Sequence, residues 1–281
     1  MEQSGRIARA HRLGSTFRIP DFAISLVELG RRHELLWHMT VRHLRGQYKQ
    51  SILGYAWAFV NPLSQMVILT FVFSTILRIT SLGIPFPLFV LTGLIPWNFF
   101  STAVSSATDS VTGATSLVTK VYFPREILPI AAVFTKIVDL FVGLIILTGF
   151  MIYYGYAPTL TILWVPAIFL TQLVFTLGLS MPLAAFNLYF HDVRFLVGVV
   201  LTMWFYVTPI IYPVDIVPER YKIIFDLNPI SLFINAYRRV VLQDISPGWD
   251  RLLLGLAISL ATFIIGYYLF KHLERGFADH I

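Results

Sequence analysis

The sequence predicts an all-α integral membrane protein with about six transmembrane helices, an N-terminal amphipathic interface helix and short outward-side re-entrant helices before the last span. Two observations carry that class. Of the 281 residues, 57% are hydrophobic and only 13% charged, against roughly 25% charged in a soluble domain, and the mean hydropathy is +0.73. The apolar residues also gather into several stretches of about 17 or more, each long enough to cross about 30 Å of hydrocarbon. Lipid is therefore the main solvent, and the chain reads as one membrane domain over residues 30–281 behind a basic tail at 1–29. Cysteine is absent, which excludes thiolate metal sites, disulfides and thiol catalysis. The basic first 50 residues hold no apolar core followed by a small-residue cleavage site, so they are expected to stay on the mature protein.

The tail has room for a short helix near 22–29 and carries no assigned chemistry. Over 30–49 the pattern turns amphipathic: Trp37, Val41, Leu44 and Tyr48 fall on one stripe, with His38, Arg42, Arg45 and Lys49 one position round. A solvated basic helix would show the same pattern. The reading adopted is a helix in the membrane interface, its stripe at the acyl boundary and its guanidinium groups among lipid phosphates, at about 1 kcal/mol per basic residue. The spans follow at 52–77, 85–104, 127–154, 160–189, 195–212 and 252–270. With the amino terminus inside, fourteen Lys and Arg lie on the cytoplasmic side, and six (Arg78, Arg220, Lys222, Arg238, Arg239, Arg251) lie outside, so charge bias puts both termini in the cytoplasm. Two connections exceed what a bundle needs. Segment 105–126 is cytoplasmic and long enough for a short helix or two, a natural place for a soluble partner to push. Segment 213–251 holds two pieces, 217–225 and 231–242, each introduced by Pro and too short to cross. Turns at that depth are tolerated only when buried in protein or lining a wet cavity, which implies a pathway nearby.

No catalytic constellation stands out. The seven His residues form no HxxxH or HExxH pair, no Ser lies in a GxSxG elbow, and no GxxxxGK[ST] run occurs, so an ATPase powering transport must be another polypeptide. Lys136 and Asp139, three apart in the third span, can pair on one helix face and ease the roughly 2.5–3.5 kcal/mol cost of a lone intramembrane charge. A proton relay would spread such groups over several spans. Aromatic residues make up 15% of the chain and cluster around Tyr55, Trp57 and Phe59, around Trp97, Phe99 and Phe100, and around Trp204, Phe205 and Tyr206. Interfacial belts are the ordinary explanation. Flat amphipathic rings also offer sugar rings an apolar face without one fixed hydrogen-bond pattern, so Tyr55, Trp57, Phe59, Trp204, Phe205 and Tyr206 are candidate lining for a glycan path.

The runs YKQSILGYAWAFVNPLSQM (48–66), LIPWNFF (94–100), KVYFPREILP (120–129), NLYFHDVRF (187–195), TPIIYP (208–213) and LNPISLFINAYRRVVL (227–242) resemble, in order, the permease subunits of ABC transporters that export O-antigen, teichoic acid or capsular polysaccharide. The resemblance covers roughly residues 30–281 and departs at His191, where the family usually carries Arg before the Asp. It implies a homodimer of permeases with two ATP-binding subunits, working in the bacterial inner membrane on polysaccharide linked to undecaprenyl diphosphate. ATP and Mg would be bound by the partner subunit, with no cofactor in this chain; membrane lipid and no nucleic acid complete the expected partners. The resemblance makes Gln50–Gly54 the loop that admits the lipid-linked head group. The residues agree: Gly54 gives backbone freedom where a surface helix turns into the bilayer, beside Arg42, Arg45 and Lys49 as diphosphate partners, with Gln50, Ser51 and Leu53 between. It likewise makes 109–122 the coupling region to the ATPase, with candidates Asp109, Lys120, Tyr122 and Arg125. The outer gate falls at 219–242, with candidates Glu219, Arg220, Tyr237, Arg238 and Arg239. A membrane-embedded transferase acting on lipid-linked sugar would need a His or Asp pair facing one leaflet; a small-lipid or drug exporter would lack the polysaccharide motifs. The topology has a direct check. Cysteines placed at Ser4 and His280 should be shielded from impermeant thiol reagents in intact cells and one at Asp215 labelled; the reverse pattern would overturn the charge-bias argument.

Overall fold

The computed structural model describes residues 32–48, 54–79, 81, 83–115 and 123–277, and the described residues form α-helices with no strand. The tail and its short helix near 22–29 lie outside them. Helix α1, His33–Tyr48, has Glu34 in its first turn and Arg45 in its last, each the charge that end of a helix dipole favours. It lies against Ile127–Tyr153, turning Leu35 and Leu36 inward and leaving Trp37 67% exposed. A 3-10 turn at Gly54–Ala56 leads to α2, Trp57–Leu69, which widens into a π-helix over Thr70–Ile76. Its side chains Val67, Ile68 and Phe71 project outward.

Helix α3, Phe86–Thr108, is the core of the molecule. Pro85 and Pro87 open it with fixed φ at positions whose N–H groups have no helical partner, and Leu88, Val90, Leu91, Phe100, Ala103 and Ala107 are sealed from solvent. Around it stand α4 (Ile127–Tyr153), α5 (Val165–Tyr189, entered by a 3-10 turn at Leu160–Trp164) and α9 (Trp249–Glu274). These helices of 23–27 residues are about 35–40 Å long at 1.5 Å per residue, enough to span hydrocarbon. Five described helical segments have that length and composition.

The fifth expected span differs. Helix α6, Val193–Val207, has 15 residues, about 22 Å, and stops short of residue 212. Pro209 is the cause: the residue before a proline is driven out of the helical region, and Thr208 is extended at φ −88°, ψ 137°. The chain then turns back through two short helices, α7 (Glu219–Asp226) and α8 (Pro229–Leu242), as the two Pro-led pieces suggested. Of these, α8 packs into the bundle against α3 and α5.

One contact fixes how the bundle closes. Helices α5 and α9 cross with their backbones touching: a Cβ on Gly178 would lie 2.5 Å from the Phe263 nitrogen, and one on Gly266 would overlap the Gly178 carbonyl oxygen. Small residues at a crossing are how membrane helices gain dispersion contact when lipid gives no hydrophobic drive between them. At the α1 end α9 is tied by polar bonds to α5 and to the start of α4. Lys271 bonds Glu126 (2.8 Å) and Glu274 (3.0 Å), Arg125 donates to the Glu274 carbonyl, and the Tyr189 hydroxyl donates to the Leu273 carbonyl. Gly266→Val should therefore destabilise the detergent-solubilised protein by about 3 kcal/mol, since backbone cannot yield as a side chain would, whereas Gly149→Ala, in open space, should be near neutral. Thermal unfolding of the two purified variants checks this.

Candidate functional site

At the end of the bundle away from α1, the break after α6 leaves backbone carbonyls without helical partners, and Arg238 takes them. Its guanidinium donates to the carbonyls of Pro209 (2.6 Å), Ile210 (2.6 Å) and Phe89 (3.3 Å) and lies 3.6 Å over the Phe89 ring. Asn228 supports the same corner. It caps α8 through the Ile230 N–H, accepts from Trp204 Nε1 (2.9 Å) and donates to the Thr208 hydroxyl (3.0 Å). Behind them Tyr237 donates to Gln172 (3.0 Å), whose amide donates to the Pro96 carbonyl (2.8 Å). Tyr237 and Arg238, expected at an outer gate, are thus buried ties between α3, α5 and α8. Glu219 and Arg220 do stand exposed on α7, Glu219 accepting from Lys222 (2.6 Å) and Arg220 lying over Tyr221. Arg239 lines a small cleft with Arg251 between α8 and α9.

On the flank formed by α1, α2, α3, α4 and α6, three clefts run into one another. The first, about 420 Å³, is lined by Arg42, His43, Gly46 and Gln47 of α1, Ser106 of α3, Asp109, and Lys136 of α4. The second, about 220 Å³, shares Gln47 and Lys136 and adds Trp57, Asn61, Asn98, Thr102 and Asp139. The third, about 430 Å³, shares Asn61, Asn98 and Thr102 and adds Gln65, Trp97, Ser101, Thr202, Phe205 and Tyr206. A polar trail therefore leads from the interface helix to the aromatic face of α6. Where it begins, Lys136 Nζ meets Gln47 Oε1 at 2.8 Å and Asp139 at 3.7 Å, the second contact being the pair expected from the spacing. His43 contacts the Ser106 hydroxyl at 3.3 Å. Burial first, then the charges of Lys136 and Arg42, hold its pKa below the ordinary value, so it is uncharged at neutral pH. Among the described residues no group of three His, Asp or Glu side chains converges as a metal site.

The expected aromatic path divides. Phe205 and Tyr206 line the third cleft and Trp57 the second, whereas Trp204 turns inward against Phe100 and Phe175 and is held by Asn228. Phe59 faces outward, 40% exposed, and the Tyr55 side chain lies outside the described residues. Of the loading residues, Arg42 lines the first cleft and Arg45 is exposed on α1. Gly54 adopts φ +50° with open space around it; Lys49, Gln50, Ser51 and Leu53 lie outside the described residues, as do Lys120 and Tyr122. Asp109 accepts from Asn187 (3.3 Å), which also takes the Arg194 N–H and so closes the α5–α6 turn, while Arg125 clamps the end of α9. The amides Asn61, Gln65 and Asn98 were not singled out by aromatic and charge patterning. Their signal is plain in retrospect: amides at i and i+4 in an apolar span, with Asn98 donating to Gln65 at 3.0 Å.

Comparison with known proteins adds the family relations. Residues 34–242 match the model for the ABC-2 type transporter. The chain is 31% identical over 257 residues to the O-antigen export system permease protein RfbA of Myxococcus xanthus, covering 90% of this chain and 98% of that protein. It is 30% identical over 253 residues to the protein of that name from Klebsiella pneumoniae, covering 89% and 96%. The polysialic acid transport protein KpsM of Escherichia coli is 23% identical over 242 residues, covering 84% and 92%.

Removing one partner of a buried hydrogen-bonded charge costs about 3–5 kcal/mol, because its acceptors are left unpaired. Arg238→Met should therefore lower thermal stability and yield of folded protein severely, while Arg220→Ala, on the exposed face of α7, should change melting by no more than about 0.5 kcal/mol.

Proposed function

This chain belongs to the ABC-2 type transporter family, and from that premise we propose that it is the membrane-spanning subunit of an ATP-driven exporter that carries undecaprenyl-diphosphate-linked polysaccharide, O-antigen foremost, from the cytoplasm to the outer face of the inner membrane. The observation that carries this reading is the similarity, over about nine-tenths of the chain, to permeases named for O-antigen export. Capsule or teichoic acid export is the second reading, favoured by the more distant similarity to a polysialic acid transport protein.

The work divides by element. Hydrolysis of ATP belongs to a separate subunit, for which residues 109–122 and the tied ends of α4, α5 and α9 offer a docking and pushing surface on the cytoplasmic side. Two copies of this chain, with α2 and α6 of each facing the other, would enclose the third cleft on both sides. Such a conduit offers a passing glycan the faces of Phe205 and Tyr206 and the amides of Asn61, Gln65 and Asn98. Stacking holds sugar rings without fixing their register, and amides at the groove wall exchange hydrogen bonds with hydroxyls as the polymer slides. The head group is loaded at the α1 end. There Arg42 and Arg45 stand at the depth of lipid phosphates, and Arg matches two phosphate oxygens at once where Lys acts as a point charge.

Gly54 gives this reading a sharp test, because its positive φ costs a β-branched residue about 1–2 kcal/mol with no clash involved. Arg45→Ala and Gly54→Val should each reduce surface glycan and leave lipid-linked glycan accumulating inside, at matched permease level and matched ATPase association. Arg6→Ala, in the tail, should export normally. Normal export by both variants would remove the loading site from the proposal.

A further inference from the structure

Resting on that loading role, we propose that Lys136 is an inner phosphate-binding residue, and that the Gln47 amide oxygen holds its place until the phosphate or diphosphate head of a lipid-linked substrate arrives. Lys136 stands nine residues along α4, about 13 Å from its start by helical rise, and lines one cleft with Arg42 of α1. An ammonium within a membrane span is costly unless it is paired, and the partners of this one compensate it only in part. Its close contact is a neutral amide oxygen at 2.8 Å; the carboxylate of Asp139 is at 3.7 Å, beyond a normal hydrogen bond. An ammonium carries three donors. A phosphate oxygen in place of the amide would make a charge-assisted bond roughly twice as strong as a neutral one.

The setting fits a ligand that passes through. Lys136 and Gln47 form the boundary shared by the first and second clefts, about 420 and 220 Å³, so the pair is reached from the α1 side and opens toward the polar trail. Arg42 lines the first cleft from α1 and adds a second cation; His43 beside it is neutral. Asp109, across the first cleft, is bonded to Asn187. Asp139 lies one turn further along α4 and offsets part of the Lys136 charge. Gln47 is exposed near the end of α1, so its side chain can swing away at little cost, releasing the tie between α1 and α4. A phosphate on Lys136 thereby loosens the interface helix that admitted it.

A structural clamp between α1 and α4 would use the same bond, and the two roles part at Gln47. The test measures binding of a fluorescent polyprenyl diphosphate to the permease–ATPase complex in nanodiscs. Lys136→Gln should bind about tenfold more weakly, the worth of one hydrogen bond to a charged group, and Lys136→Arg should retain most of the affinity. Gln47→Ala should bind about threefold more tightly, because a competitor has been removed; a clamp predicts no gain. Inorganic pyrophosphate should compete, and nanodiscs enriched in phosphatidylglycerol should not. If anionic phospholipid competes as well as the diphosphate, the site takes ordinary membrane lipid and the proposal fails. Unchanged affinity in both Lys136→Gln and Gln47→Ala, with wild type binding and exporting, overturns the Lys136 site alone. Wild type that neither binds the diphosphate nor exports glycan overturns the transport reading as well.

Discussion

The structure turns on the grip of one guanidinium on three backbone carbonyls. Water cannot satisfy a carbonyl within a bilayer, so a helix that ends at depth needs a donor from elsewhere in the protein. Helix α6 ends in this way at Val207, and Arg238 supplies the donors for Pro209 and Ile210 while reaching Phe89 in α3. With that bond set, Arg238 joins the turn after α6 to α3 and α8, beside the Asn228 and Tyr237 bonds that hold the same corner. The side chain is 5% exposed. Its charge is spread over three carbonyl dipoles and a ring face, with no carboxylate partner among the described residues, a form of compensation suited to Arg because its planar fork presents several donors at once.

From that corner the molecule sorts into a stiff part and a lightly held part. Helices α3, α5, α8 and α9 are joined by the Tyr237–Gln172–Pro96 bonds in mid-bundle, by the Gly178–Gly266 crossing, and, with α4, by the Lys271–Glu126–Glu274 cluster at the α1 end. Helix α2 has two residues buried, Pro62 and Met66, and α6 two, Val197 and Leu201. Both border the third cleft. One side of the third cleft is therefore drawn from two helices with few buried residues, the condition under which local motion costs least.

Much of this was legible in the sequence, and the boundary of legibility is physical. Hydropathy placed the long spans because their apolar length is a one-dimensional property. Lys136 and Asp139 could be paired because three residues along a helix is a fixed distance. Gln47 could not be added, since it comes from another helix. The fifth span was drawn too long because apolarity runs on through residues 208–212, although Pro209 already favoured a helix end there, whereas Pro62, Pro96 and Pro182 are carried inside helices. Arg238 was counted as an outer-surface charge because its partners are main-chain carbonyls, which leave no trace in side-chain patterning. Trp204 was grouped with Phe205 and Tyr206, yet successive residues on a helix point about 100° apart, and only the packing of α3 and α5 decides which of the three faces inward.

The crossing of α5 and α9 also limits how the sequence can drift. At most contacts between helices an enlargement on one side is absorbed by a reduction on the other. Gly178 and Gly266 have already been reduced as far as the amino-acid alphabet permits, so neither can compensate for the other. The remaining route is to shift a whole helix, and that would drag the Tyr189–Leu273 and Lys271–Glu126 bonds with it. Two positions that line none of the clefts described are thus held to one residue type by geometry alone, and tolerance to substitution on this pair reports on the spacing of two helices rather than on transport chemistry.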